Sequence, residues 1–244
     1  MTGAAKRLGR AIALDLARHG WNVAIHYNTS EREARVTCED VQTAGVKAAL
    51  VRADLARESD TANLIEDAAR ELGPLTALIN SASVFENDHW HSADRASWDR
   101  HMEVNLRAPL VLAQHFTKEL PRDACGCVIN VLDQRLFRPT PDFLSYGVSR
   151  AGLHWLTATL AQALAPRIRV NAVAPGPTLK AAWQSSAQFE RERSTTILGH
   201  GSKPQDICDA VRYLLDAQAV TGQTLAVDGG QHLIWNSAEL AEIP

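Results

Sequence analysis

The chain reads as an α/β protein, a Rossmann-like doubly wound parallel sheet in a single domain over residues 1–244. Three observations predict this. Short apolar runs without polar alternation recur along the chain, as strands buried on both faces require. Segments with apolar residues at helical spacing separate those runs. No repeat, linker or low-complexity stretch divides them.

The elements follow in order. Leu8, Ile12 and Leu16 repeat at helical spacing, and Gly20 stops that helix. Asn22 to Tyr27 reads as a strand, Ser30 to Ala44 as a polar helix closed by Gly45, and Val46 to Arg52 as the next strand. Ser59 or Asp60 caps a helix carrying Leu64, Ile65 and Ala68, which Gly73-Pro74 breaks. Leu75 to Asn80 is a short strand, and one long helix covers roughly Asp94 to Leu120. Cys127 to Leu132 is a strand, Phe143 to Leu164 a helix, and Arg167 to Val173 a strand running into Pro175-Gly176-Pro177. Thr178 to Gly201 shows weak periodicity. Pro204 to Asp216 is a helix and Gln223 to Val227 a last strand.

One element is short of its place. Thr2 to Gly9 looks like the turn between a first strand and a first helix, yet the chain starts there. The first strand of a doubly wound sheet is central, so it reads as truncated, and the native start is expected upstream of Met1.

The bulk numbers fit a globular protein: 244 residues, 45% hydrophobic and 22% charged. A net charge of -3 gives no basic face for nucleic acid or an anionic membrane. No apolar run approaches the roughly 20 residues of a membrane helix, and no signal peptide is visible, so the expected location is cytoplasmic. Cys38, Cys125, Cys127 and Cys208 read as reduced thiols. Neither they nor the nine histidines form metal-ligand spacing, so no metal is expected.

Chemistry concentrates in two places. Tyr146 and Arg150 lie one helical turn apart, and Asp133 precedes the tyrosine by thirteen residues at a strand end. A phenol beside a fixed cation reads as a proton donor with a lowered pKa. At the other end of the chain, Gly3 and Gly9 around Lys6, Arg7 and Leu8 suit a pyrophosphate at a helix start; glycine before a helix is also plain turn chemistry. After the second strand come Tyr27, Asn28, Thr29 and Ser30, with no acidic residue until Glu31. An NAD site would place an acid there for the ribose 2′-hydroxyl. Hydroxyls, an amide and Arg7 suit a 2′-phosphate, which favours NADPH; the alternative is that these residues only cap the next helix. Asp54-Leu55 would touch the adenine or simply form a turn. Arg135 and Arg138 flank Phe137 and would rim a substrate mouth or a solvated loop.

Taken together, the motifs Thr2 to Gly9, Asp54-Leu55, Asn80-Ser81-Ala82-Ser83, Asn105, Tyr146-x-x-x-Arg150, Asn171, Pro175-Gly176-Pro177-Thr178 and Val227 to Gly230 resemble the short-chain dehydrogenase/reductase family over nearly the whole chain. Lys6-Arg7, His26-Tyr27, Asp133 and Ser83-Val84-Phe85 are most similar to its pteridine reductase and dihydromonapterin reductase branch. The resemblance implies that Tyr146 donates a proton, that Asn105 holds a relay water, and that Asp133 hydrogen-bonds Tyr146 and helps protonate a ring nitrogen. It implies that Asn80 and Ala82 line the cofactor, that Pro175, Gly176 and Thr178 sit by the nicotinamide, and that Phe85 stacks a flat pterin. Arg7 and Ser83 would contact cofactor and substrate. Duller alternatives are a core Phe85, an Asn105 that repairs a helix kink and an Asp133 that caps a strand end.

The expected activity is therefore NADPH-dependent reduction of the C=N bond of a dihydropterin, a small-molecule substrate. A carbonyl or 3-oxoacyl reductase and a catalytically silent nucleotide-binding protein are the alternatives. Arg150 departs from the family's lysine, and a working but slowed enzyme is expected. Trp98, Trp155 and Leu160 lie on helices that pair subunits in relatives, which implies a homo-oligomer, specifically a homotetramer.

Overall fold

A computed structural model describes residues 1–235. Six parallel strands alternate with helices, as the apolar runs require. In chain order they are α1 (Arg7–Arg18), β1 (Val23–Tyr27), α2 (Glu31–Thr43), β2 (Ala48–Arg52), α3 (Glu58–Leu72), β3 (Ala77–Asn80), α4 (Arg95–Met102), α5 (Ala108–Glu119), β4 (Gly126–Val131), α6 (Leu144–Leu164), β5 (Ile168–Pro175), α7 (Ser186–Ser194), α8 (Pro204–Asp216) and β6 (Thr224–Val227). β4 is buried at every position, and β5 at all but one. That is why these strands lack polar alternation.

Helices cover both faces. Ile12 and Leu16 of α1, Val41 of α2 and Val211 and Leu214 of α8 pack on one face, with Ile25, Ile79 and Ile129 of the sheet. Leu64 of α3, Leu112 and Phe116 of α5 and Ala161 of α6 pack on the other, with Leu78, Val128 and Val170. Each large apolar side chain so buried contributes roughly 1.5–3 kcal/mol before the cost of ordering it.

The sheet is divided. β1 pairs with β2, and β3, β4, β5 and β6 form a separate four-stranded run. Met1 and Thr2 bridge the two parts. Met1 N donates to Ala24 O (2.9 Å), His26 N–H to Met1 O (3.1 Å) and Thr2 N–H to Ile79 O (2.9 Å). Beyond these two residues the facing edges of β1 and β3 enclose a cavity of about 420 Å³, lined by apolar side chains such as Leu16, Val23, Val51, Ile65 and Leu78. The sequence reading expected a central strand in this place; the described residues supply two residues of bridge there.

Two further differences from the sequence reading have local causes. The helix expected over Asp94 to Leu120 is split, because a wide π-type turn over Glu103–Arg107 separates α4 from α5. The segment expected to be loose contains α7, which Ser185 and Gln188 open with a reciprocal capping box. No helix among the described residues is long and apolar enough to cross a membrane.

Candidate active site

The carboxyl ends of the strands open into a cleft of about 560 Å³ where the two parts of the sheet meet. Crevices of this kind are where ligands bind in open α/β sheets. The turn before α1 forms one wall. Gly3 has φ +62°, and a Cβ on it would lie 2.8 Å from Ala82 Cα. A Cβ on Gly9 would lie 2.1 Å from Gly3 O. Neither position admits a side chain. Three polar contacts fix the turn. Thr2 Oγ1 accepts the N–H groups of Ser81 (3.0 Å) and Ala82 (3.1 Å), and His26 Nδ1 accepts Gly3 N–H (3.1 Å). His26 Nε2 faces Ala53 O at 3.1 Å. Since Nδ1 accepts, the ring proton sits on Nε2, and burial pushes the imidazole down to about 4.

The residues expected at a dinucleotide line this cleft. Gly3, Lys6, Arg7, Leu8 and Gly9 form that wall, and α1 starts there without a side-chain cap or an acidic residue in its first turn. Tyr27, Asn28, Thr29 and Ser30 lie at one end with Asp54 and Leu55. Asn28 Nδ2 donates to Asp54 Oδ1 (3.2 Å). Ser30 makes no capping bond to α2, so the capping alternative is not realised by its hydroxyl. Ala82, Pro175, Gly176 and Thr178 lie at the other end. Arg7 has φ +56°, and its guanidinium reaches across to Lys180 O (3.0 Å) and Leu179 O (3.2 Å).

Two expected residues stand behind the cleft wall. Asn80 is buried and donates to Asn130 Oδ1 (2.9 Å). Asn105 is buried in the π-type turn, where its amide accepts Val84 N–H (2.8 Å) and donates to Val84 O (2.9 Å) and Ser149 Oγ (3.1 Å). Neither lines the cleft; Asn80 Oδ1 is buried without a partner, while the Asn105 amide is engaged with protein groups. Asn105 thereby ties the Ser83-to-Phe85 segment to α6.

Tyr146, Asp133 and Arg150 meet at the centre. Tyr146 Oη donates to Asp133 Oδ2 (2.9 Å). Asp133 Oδ1 accepts Arg135 N–H (2.8 Å), so the carboxylate both caps a short turn and holds the phenol. The Arg150 guanidinium lies 5.2 Å from the centre of the Tyr146 ring, and Nη1 donates to Val131 O (3.2 Å). Arg150 Nε is buried without a partner. The sequence reading expected this cation to make the phenol acidic. Instead burial and the Asp133 charge outweigh Arg150, and the Tyr146 pKa lies above its ordinary value. The phenol therefore keeps its proton at neutral pH.

Phe85 belongs to the cleft rather than the core. Its ring stacks on Phe143 (4.5 Å, 6° between planes) and meets Tyr146 edge-on at 4.7 Å. Ser83 is exposed beside it. Arg135 lies over Phe85 and Phe143, with its guanidinium 5.5 and 5.1 Å from the ring centres.

Sequence reasoning missed the support beneath Tyr146. Phe143 opens α6 with φ +57° and no side-chain cap. Asn87 Oδ1 accepts Phe143 N–H (2.9 Å), Asp88 O accepts Leu144 N–H (3.1 Å) and Asp88 Oδ1 accepts Ser145 N–H (3.0 Å). Asp88 also accepts from Ser145 Oγ and from Ser97 Oγ (2.6 Å), and His101 Nδ1 lies 2.7 Å from Ser145 Oγ. No local pattern marks Asp88, since its partners are distant in sequence.

The dinucleotide fits this cleft on the chain's own terms: a turn that excludes side chains, uncapped helix N–H groups and a buried Arg150 donor without an acceptor. Comparison with known proteins agrees. Residues 3–232 match the family described as enoyl-(acyl carrier protein) reductase. The 3-oxoacyl-[acyl-carrier-protein] reductase FabG of Staphylococcus aureus Mu50 is 30% identical over 238 residues, covering 96% of this chain and 97% of that one. Among solved structures, FolM alternative dihydrofolate reductase 1 from Brucella canis, complexed with NADP, is 44% identical with a TM-score of 0.93, covering 99% of this chain and 96% of that one. The angucycline C-6 ketoreductase LanV with bound NADP is 31% identical with a TM-score of 0.88, covering 96% and 94%. The chain is a member of the short-chain dehydrogenase/reductase family.

Proposed function

We propose that the protein is an NADPH-dependent oxidoreductase that reduces the C=N bond of a dihydropterin. The observation that carries this reading is the Tyr146–Asp133 hydrogen bond (2.9 Å) beside the Phe85 ring (4.7 Å from Tyr146) in one cleft. A flat heterocycle needs an aromatic wall, and an imine nitrogen needs a proton donor. The 44% identical Brucella protein is called an alternative dihydrofolate reductase, which supports a substrate of the same ring class.

NADPH supplies the hydride when bound. The chain's residues do the rest. Lys6 and the start of α1 would hold the pyrophosphate, while Asn28, Thr29 and Ser30 would favour a 2′-phosphate; the Arg7 guanidinium, which bonds Leu179 O and Lys180 O, does not join them there. Phe85 and Ser83 orient the substrate ring. Tyr146 gives its proton to the ring nitrogen, and Arg150 stabilises the phenolate that results. Asp133 aligns the phenol and returns a proton from solvent. General acid catalysis of this kind typically contributes 10²–10⁴-fold.

A second reading, reduction of 3-oxoacyl thioesters, is favoured by the 30% identity to the staphylococcal FabG. Following NADPH oxidation with dihydrobiopterin and with an acetoacetyl thioester separates the two. Turnover of the thioester alone overturns the pterin reading, and NADPH binding without turnover of either marks a silent nucleotide-binding protein. The assembly we propose is a homotetramer, paired through helices α4, α5 and α6. Trp98 on α4 and Trp155 on α6 are exposed (38% and 71%), as that pairing requires, and sedimentation of the purified protein tests it.

A further inference from the structure

We propose that Arg135 binds an oxygen acceptor of the substrate and so sets which dihydropterins the cleft accepts; this rests on the pterin reading. Arg135 follows Asp133 by two residues and lines the cleft. Its position is fixed from three sides. Its N–H donates to Asp133 Oδ1 (2.8 Å), Nη1 lies 3.4 Å from Asp133 Oδ2, and the guanidinium lies over the stacked rings of Phe85 and Phe143. Its Nε is buried and has no hydrogen-bond partner.

A guanidinium offers five N–H donors in a fixed fork and no acceptor. Leaving one buried and unpaired is costly. The rest of the side chain is 22% exposed and lines the cleft, so its remaining N–H groups are within reach of an oxygen brought in by a ligand. Phe85 and Phe143 hold the fork in place beforehand, and less freedom is lost when the acceptor arrives. The same rings border the phenol that delivers the proton. A ligand stacked on Phe85 therefore brings its oxygen atoms within the neighbourhood of Arg135. Two sources of oxygen fit this chemistry, the ring oxo group and a hydroxyl or carboxylate on the ring substituent.

The test is equilibrium binding to NADP⁺-saturated protein of three ligands: a 6-methyl dihydropterin, dihydrobiopterin and dihydrofolate. Arg135→Met is expected to weaken at least one about tenfold or more, with NADPH affinity unchanged within about twofold. Arg135→Lys, which keeps the charge but not the fork, is expected to fall between. Weakening of all three assigns the ring oxygen, and weakening confined to the substituted ligands assigns the substituent. Unchanged affinity for all three overturns the proposal. An equal loss of NADPH affinity also overturns it, because that marks a purely structural residue. If the wild-type protein binds no dihydropterin, the pterin reading fails together with this one. If it binds them and Arg135→Met is silent, only this inference fails.

Discussion

Asp88 caps the helix of Tyr146 from 57 residues away: its Oδ1 accepts the N–H of Ser145 at 3.0 Å. The residue that opens α6, Phe143, is held in a left-handed conformation that non-glycine residues adopt only under constraint. The loop after β3 supplies that constraint. It also carries Ser83 and Phe85, so the proton donor and the aromatic wall are set by one network.

Asp88→Ala removes the acceptor for one buried N–H and two hydroxyls. The expected loss is about 2–4 kcal/mol of stability, read from urea unfolding. Asp88→Asn, which keeps one carbonyl oxygen, is expected to recover part of it. Stability unchanged in both variants would dismiss the capping role.

Tyr146→Phe keeps the ring and its packing on Phe85 but removes the proton. Turnover is expected to fall about 10²–10⁴-fold, with NADPH affinity unchanged. Because burial, with Asp133, raises the phenol's pKa, the protonated form persists past the ordinary tyrosine range. The ionisation absent in Tyr146→Phe, followed by absorbance against pH, should therefore lie above the ordinary tyrosine range.

Arg150→Met removes the cation that opposes both upward pushes on the phenol. We expect turnover to drop about tenfold or more, because the phenolate formed in proton transfer loses its stabiliser. Arg150→Lys keeps the charge and should stay closer to wild type. Turnover above wild type in Arg150→Lys would show that arginine is a poor occupant of this position.

His26 predicts an acid-sensitive cofactor turn. The native imidazole is neutral with its pKa pushed down to about 4, against 6.5 for the free side chain. Below pH 6.5 the unfolded chain binds a proton that the native state refuses. Stability from this group is thus present above about pH 6.5 and is lost as pH falls toward 4, by about 3 kcal/mol in all. Unfolding of wild type and His26→Phe at neutral pH and near pH 4.5 checks it: the variant should show the shallower fall.

The strands were legible because burial on both faces leaves continuous apolar runs, as in Cys127 to Ile129. The phenol, carboxylate and cation were legible because a helical turn and a strand end place them. The π-type turn around Asn105 was not, since one extra residue barely disturbs the apolar spacing of a helix. Helix α7 was missed because no residue of Ser186–Ser194 is buried, leaving its capping box as the signal. Asp88 was invisible for another reason: its role exists only once the loop after β3 lies against the start of α6. The direction of the Tyr146 shift was misread because spacing reveals the neighbouring cation but not the burial.

The cleft lies on the seam between two rafts of strands. One raft, β1 and β2, carries the Tyr27-to-Ser30 end of the cleft; the other carries Tyr146. A ligand that spans the cleft touches both rafts, and NADPH should slow exchange in β1 and β2 more than in β4. On this view the nucleotide is a structural tie as well as a reagent.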